Sequence, residues 1–195
     1  MKNRKRNRLQ GYDYSSDNLY FVTICVKGRL CCLGNIVDGT GDPVGTAREL
    51  SVRDLSVPRI GEDLNQIMKL NAYGLIVKEK MQWLEAQYPY VMVHNFVVMP
   101  NHVHAIIEID GRRGMVGDSS RAVRTEIKIK SLSSLVGAFK TTSSKMIHEA
   151  GFLEFAWHRS FHDHIIRNEI AYLNITNYID DNPNRWFKDT FFEKG

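Results

Sequence analysis

Residues 91–109 read VMVHNFVVMPNHVHAIIEI, two apolar, β-branched runs (91–99 and 102–109) separated by Pro100 and Asn101. Those two residue types suit a tight turn, so the stretch predicts an antiparallel hairpin at the centre of the molecule. Strand side chains alternate between faces, which sends His102 and His104 to one face and Val103 into the core behind them. Two imidazoles are thereby preplaced on a rigid element, at what is expected to be a solvent-accessible site. Such a pair ligates a divalent metal when a further protein ligand joins it. The same pattern also arises as two strand histidines without metal, and taken alone it leaves both readings open.

Working outward, residues 19–26 (LYFVTICV) and 29–36, joined by Lys27-Gly28, read as an N-terminal hairpin. Residues 38–60 collect Gly39, Gly41, Pro43, Gly45 and Pro58 with no sustained period, which predicts a mobile insertion loop. Residues 67–70 form a short returning strand. Asn71 then caps a helix over 72–86, in which Tyr73, Ile76, Val77 and Leu84 share a face and Gly74 is the weak point. Downstream, Leu132, Leu135, Val136, Phe139, Met146 and Ile147 recur at helical spacing and predict an amphipathic helix that ends before Gly151. Residues 155–166 supply another strand. Asn168 caps a last helix, which stops near Asn182 because Pro183 disfavours helical geometry in the residue before it. With the extra hairpin and the last helix set aside, the order is strand, helix, strand, strand, helix, strand. That order predicts an α+β fold, a ferredoxin-like (RRM-like) antiparallel βαββαβ sheet forming one domain over residues 1–195.

The composition is that of an ordinary globular chain: 195 residues, 43% hydrophobic, 25% charged and 10% aromatic. It excludes disordered, collagen-like and disulfide-scaffold classes. No apolar run approaches the ~20 residues needed to cross a bilayer and the N-terminus lacks a signal-peptide stretch, so a cytoplasmic protein without a membrane partner is expected. Cys25, Cys31 and Cys32 have neither disulfide-framework nor zinc-knuckle spacing and read as reduced thiols. The formal charge of +4 is unevenly spread. Residues 1–10 form a basic arm carrying Lys2, Arg4, Lys5, Arg6 and Arg8, and a second basic stretch holds Arg112, Arg113, Arg121 and Arg124, with Lys128 and Lys130 beyond. Two local patches on a near-neutral body fit phosphate contacts; a frayed terminus and a solvated loop fit equally well.

A competing histidine pair flanks Asp163, as His162 and His164. A carboxylate at the inward position suits an edge better than a central strand, so His102 and His104 are the preferred ligands. Asp163 or His164 then becomes a candidate for contacting the ligating imidazoles or a bound substrate. His94, His148 and His158 lack ligand spacing and read as structural or surface residues. On the last helix, Tyr172, Ile175, Thr176 and Ile179 form a packing face, whereas Asn174, Tyr178 and Asn182 form a polar stripe. A tyrosine there is either an amphipathic ring with a wet hydroxyl or, beside a metal that polarises a phosphodiester, a nucleophile.

The strings FVVMPNHVHAIIEI, WHRSFHDHIIRNE and NYIDDNPNRW, together with YFVTICVKGR and SLSSLVGAFK, resemble in order and spacing the single-tyrosine HUH transposases, especially the REP-associated tyrosine transposases. The resemblance spans most of the chain outside residues 38–66. It implies that His102 and His104 are metal ligands, that Tyr178 is the nucleophile, and that Asn182 supplies a third ligand through its amide oxygen. It further implies cleavage and rejoining of single-stranded DNA through a 5′-phosphotyrosine with Mg²⁺ or Mn²⁺. The implied substrate carries foldback hairpins or palindromic repeats, and the implied protein is a monomer or homodimer at the bacterial nucleoid. The alternative is a domesticated, sequence-specific hairpin-binding protein that no longer cuts. A replication-initiator or relaxase-type nuclease is a third reading, for which 195 residues leave no space.

Overall fold

A computed structural model describes residues 11–39, 66–115 and 128–188. The hairpin of residues 91–109 is formed by β4 (Val91–Val98) and β5 (His102–Ile109). β5 also pairs with β1 (Asn18–Cys25), and β1 with β6 (His162–Ile166), giving an antiparallel sheet ordered β4-β5-β1-β6. α1 (Ala72–Gln87) and α2 (Leu132–Glu149) cover one face. There Tyr20, Val22 and Ile24 of β1 and Val103, Ala105, Ile107 and Ile109 of β5 pack against Val77, Met81 and Leu84 of α1 and Leu135, Val136 and Phe139 of α2. α3 (Glu169–Asp180) lies on the other face, with Ile179 against Ile106 and Ile166.

Local chemistry sets the helix starts. Asn71, Ser131 and Asn168 each accept a backbone N–H three residues on, satisfying a donor that the first helical turn leaves unpaired. Gly74 is required for packing: a Cβ there would overlap the Leu33 carbonyl oxygen, so the glycine lets α1 close onto the preceding chain. α3 ends at Asp180, and a separate turn, α4 (Asn182–Arg185), begins with proline in its first turn, where its missing N–H costs nothing.

Two expectations are corrected. Residues 29–36 do not pair with 19–26. After β1 the chain makes one 3-10 turn at Lys27–Arg29, with positive φ at Gly28 and Arg29, and the Cys32 and Leu33 amides then donate to the Pro100 carbonyl at 2.9 and 3.0 Å. This detour carries the chain away from β1. β2 (Gly34–Val37) therefore pairs with β3 (Ile67–Leu70) as a separate two-stranded sheet, whose returning strand the sequence places correctly. The strand expected over 155–166 is confined to β6, with an isolated bridge from Trp157 to Val26 before it. The insertion at 38–60 and the arm at 1–10 lie largely outside the described residues. No described helix is long and apolar enough to cross a membrane. None of the three cysteines forms a disulfide.

Candidate active site

Alternation along β5 puts Val103 in the α1/α2 core and turns His102 and His104 to the face under α3. Each ring is fixed through Nδ1. His102 Nδ1 lies 2.9 Å from Asn101 Oδ1, and Asn101 in turn donates through Nδ2 to the Arg29 carbonyl at 3.1 Å. His104 Nδ1 lies 2.9 Å from the Thr23 hydroxyl. An amide oxygen facing His102 assigns the proton to Nδ1 and the lone pair to Nε2; the same tautomer of His104 lets its Nε2 accept from the Tyr178 hydroxyl, 3.3 Å away. The two imidazole centroids are 4.5 Å apart. Phe21 stacks on His104 at 5.3 Å, and Trp186 lies 6.0 Å from His102.

The expected solvent-accessible site is corrected here: His102 is 0% and His104 1% exposed. α3, Asn182 and Trp186 roof them, a tertiary contact that strand periodicity does not reveal. Burial pushes the His102 pKa down to about 3, an effect that the nearby Asn182 amide opposes and the Arg29 charge reinforces. The ring is thus held neutral, the state in which imidazole ligates metal.

Asn182 is 1% exposed. Its amide oxygen and nitrogen make no hydrogen bond of ordinary geometry among the described residues, although the side chain lies close enough to His102 to favour the protonated ring. A buried amide without a hydrogen-bond partner costs free energy unless another group satisfies it. No group of three His, Cys, Asp or Glu side chains able to hold a metal occurs among the described residues. The groups in this site that could hold a divalent cation are the neutral His102 ring, the His104 ring and this orphaned amide oxygen.

Tyr178 does not lie on a purely polar stripe. Its ring stands edge-on to Phe21 and packs against the cluster of Ile106, Ile166 and Ile179, and because the helix breaks at Asp181 the expected i, i+4, i+8 row does not continue into Asn182. Its other side lines an open groove of about 630 Å³ with Asn174, Asn177, Asp181, Asn184 and Arg185.

The remaining candidates are dispersed. Asp163 pairs with Val22 and so belongs to the α1/α2 side, away from His104; His164 pairs with Phe21. It is His162 that shares a row with Thr23 and His104, a neighbour the sequence misses because the β1–β6 register is not local information. Arg112 and Arg113 follow the far end of β5, seven residues or roughly 23 Å beyond His102. Both are ion-paired, Arg112 with Asp110 at 2.9 Å and Arg113 with Glu108 at 3.3 Å. Lys2, Arg4, Lys5, Arg6, Arg8, Arg121 and Arg124 lie outside the described residues. Thr23, Asn101 and Trp186 complete the site; each lies within one of the strings that carry the resemblance, but residue type and spacing alone assign none of them a role there.

No family model matches the chain. An uncharacterized protein of Haemophilus influenzae (strain ATCC 51907 / DSM 11121 / KW20 / Rd) is 30% identical over 194 residues, covering 97% of this chain and 93% of that one. The chain belongs to the same family as that protein. Two solved structures are similar to it. One is a REP-associated tyrosine transposase bound to a REP hairpin, 16% identical, covering 95% of this chain and 74% of that one with a TM-score of 0.46. The other is a candidate transposase of Deinococcus radiodurans R1, 14% identical, covering 89% and 95% with a TM-score of 0.40. The functional reading rests on the residues of the site.

Proposed function

We propose that this chain is a single-tyrosine DNA strand transferase that cuts and rejoins single-stranded DNA at hairpins, built on a ferredoxin-like sheet. The observation that carries the reading is the convergence of Tyr178 Oη, 3.3 Å from His104 Nε2, with a neutral His102 and an orphaned Asn182 amide on one buried sheet face. In the proposed step, Tyr178 Oη forms a bond to the scissile phosphorus and the bond from phosphorus to the 3′ oxygen breaks. The products are a 5′-phosphotyrosine and a 3′-hydroxyl: the phenol proton passes to water in the adjoining groove, and water returns one proton to the leaving 3′ oxygen. Attack by a 3′-hydroxyl on the same phosphorus reverses the step and regenerates the phenol, so no external energy source is required. His102, His104 and Asn182 would hold Mg²⁺ or Mn²⁺, whose bound charge polarises the phosphate. Thr23 and Asn101 orient the two imidazoles toward that role.

The complete burial of both histidines means that the strand must displace part of the roof made by α4 and Trp186 before it reaches them. The same burial favours one alternative, a hairpin-binding protein that keeps the scaffold and no longer cuts. Incubation with labelled single-stranded hairpin DNA and Mn²⁺ separates the two: a covalent protein–DNA adduct dependent on Tyr178 supports strand transfer, whereas tight binding without an adduct supports the alternative.

A further inference from the structure

We infer that a β-bulge in β4 positions the nucleophile helix, with His94 and Asn95 as positioning residues for Tyr178; the inference rests on the strand-transfer reading of that tyrosine. Val93 pairs with Ile107 and Asn95 with Ile106, so His94 is an extra residue on the β4 side. A bulge of this kind interrupts the alternation that would send consecutive side chains to opposite faces. Here both reach α3. His94 Nε2 is 3.0 Å from Glu108 Oε2 while its Nδ1 is 3.3 Å from the Tyr172 hydroxyl, and Asn95 Nδ2 donates to Asp180 Oδ1 at 2.8 Å. One bulge thereby ties α3 at two points, six residues before and two residues after Tyr178.

The first tie has a defined direction. Glu108 is also paired with Arg113 at 3.3 Å and acts as a carboxylate acceptor. His94 therefore donates from Nε2, leaving Nδ1 to accept from the Tyr172 hydroxyl. Such ties matter because the apolar anchorage of α3 is thin. Ile179 is the only buried apolar side chain on it, against three on α1 and five on α2, and Ile170 and Leu173 are 73% and 51% exposed. Apolar packing is non-directional and leaves a lightly buried helix free to rotate or slide, whereas hydrogen bonds at both ends fix its rotation. The 3.3 Å approach of Tyr178 to His104 depends on that rotation.

The pair Asn95–Asp180 is exposed, so as a purely structural contact it would hardly matter. As a positioning contact it should matter to the reacting geometry. The experiment compares the full chain with Asn95→Asp, which sets two carboxylates against each other, and with the double variant Asn95→Asp/Asp180→Asn, which restores a donor–acceptor pair with the roles exchanged. Adduct formation is timed at saturating hairpin DNA with Mn²⁺, hairpin affinity is measured separately, and ¹⁹F NMR follows a fluorotyrosine at position 178 in the DNA-free protein. Asn95→Asp should slow the adduct by about ten- to a hundredfold at unchanged affinity and shift or broaden the Tyr178 line, and the double variant should restore both. An unmoved line with an unslowed adduct, or a double variant as impaired as the single one, overturns the inference. If the wild-type chain forms no adduct, the strand-transfer reading falls and the NMR comparison alone decides the positioning. If the adduct forms but is indifferent to Asn95→Asp, the positioning falls and the reading stands. Should Asn95→Asp fail to fold, His94→Ala, which cuts the tie to Tyr172 without adding charge, is read by the same two signals.

Discussion

The two faces of the β4-β5-β1-β6 sheet are made by alternate residues of the same strands, yet they obey different rules. Toward α1 and α2, β1 and β5 present Tyr20, Val22, Ile24, Val103, Ala105, Ile107 and Ile109, all but fully buried. Toward α3, the same strands present Phe21, Thr23, His102, His104, Ile106 and Glu108, a face that buries polar groups at comparable depth. Burying apolar area stabilises by about 25 cal/mol per Å², whereas burying polar groups costs free energy unless each finds a partner. The first face therefore accounts for the fold. The second, with its oriented imidazoles and orphaned amide, is maintained at some cost to stability, as expected of a site. The difference is testable by substitutions whose effects should separate cleanly between the faces.

The largest separation is expected between Tyr178→Phe and Phe139→Ala. Removing the phenolic oxygen deletes the proposed attacking atom and should suppress adduct formation by on the order of 10⁴-fold or more, with hairpin affinity and melting temperature unchanged. Phe139, 0% exposed at the centre of the α1/α2 core, should lose roughly 3–5 kcal/mol on truncation, read as a large fall in melting temperature, while the folded fraction keeps its activity. An active Tyr178→Phe would refute the assignment of the nucleophile.

How much of this contrast was legible in the sequence follows from the range of the forces involved. The alternation of β5 is local, so the sidedness of His102, Val103 and His104 could be read from spacing alone, as could the caps at Asn71 and Asn168. The partner of β2 was not legible, because it is decided by a positive-φ turn and by amides reaching Pro100. Nor was the depth of the histidines, which depends on where α4 and Trp186 dock, or the bulge at His94, which exists only relative to the register of β5.

A second effect concerns pH. The folded-state pKa of His102, about 3, lies below its unfolded value of about 6.5, so the unfolded chain binds a proton that the metal-free folded chain refuses. The stability that depends on the neutral ring is fully present above about pH 6.5 and is lost as pH falls toward 3, at up to about 1.4 kcal/mol per pH unit. Denaturant titrations in EDTA between pH 7.5 and pH 5 should show this slope, and His102→Gln should flatten it. Equal slopes would mean that the ring is more hydrated than its burial indicates.

A smaller effect should come from exchanging polarity between neighbouring positions. Thr23→Val removes the partner of His104 Nδ1 while keeping shape, and should weaken Mn²⁺ binding by about 10–100-fold in calorimetry. Val22→Thr buries a new hydroxyl on the apolar side and should cost about 1–3 kcal/mol of stability without touching metal affinity. If Thr23→Val leaves Mn²⁺ binding intact, the hydroxyl does not orient the ring and the two faces differ less than their composition indicates.

The smallest effect is expected from charge that belongs to neither face. Three arginines near the ends of the polar face are already engaged: Arg112 with Asp110, Arg113 with Glu108 and Asp110, and Arg185 with Asp181. Such pairs offer phosphate little net charge, so if the face binds a DNA strand, much of the neutralisation should come from elsewhere in the chain. Lys2, Arg4, Lys5, Arg6 and Arg8 have no acidic neighbours among residues 1–10, which makes that arm the leading source. Deleting residues 1–8 should weaken hairpin binding and flatten its salt dependence, with the slope of log K against log salt falling by about 0.7 for each phosphate that the arm no longer neutralises. Adduct formation at saturating DNA should survive, because Tyr178, His102 and His104 all lie in the sheet and α3. An unchanged slope would transfer the role to the basic stretch around Arg121 and Arg124, and deletion of the two segments in turn would show which one carries the strand to the polar face.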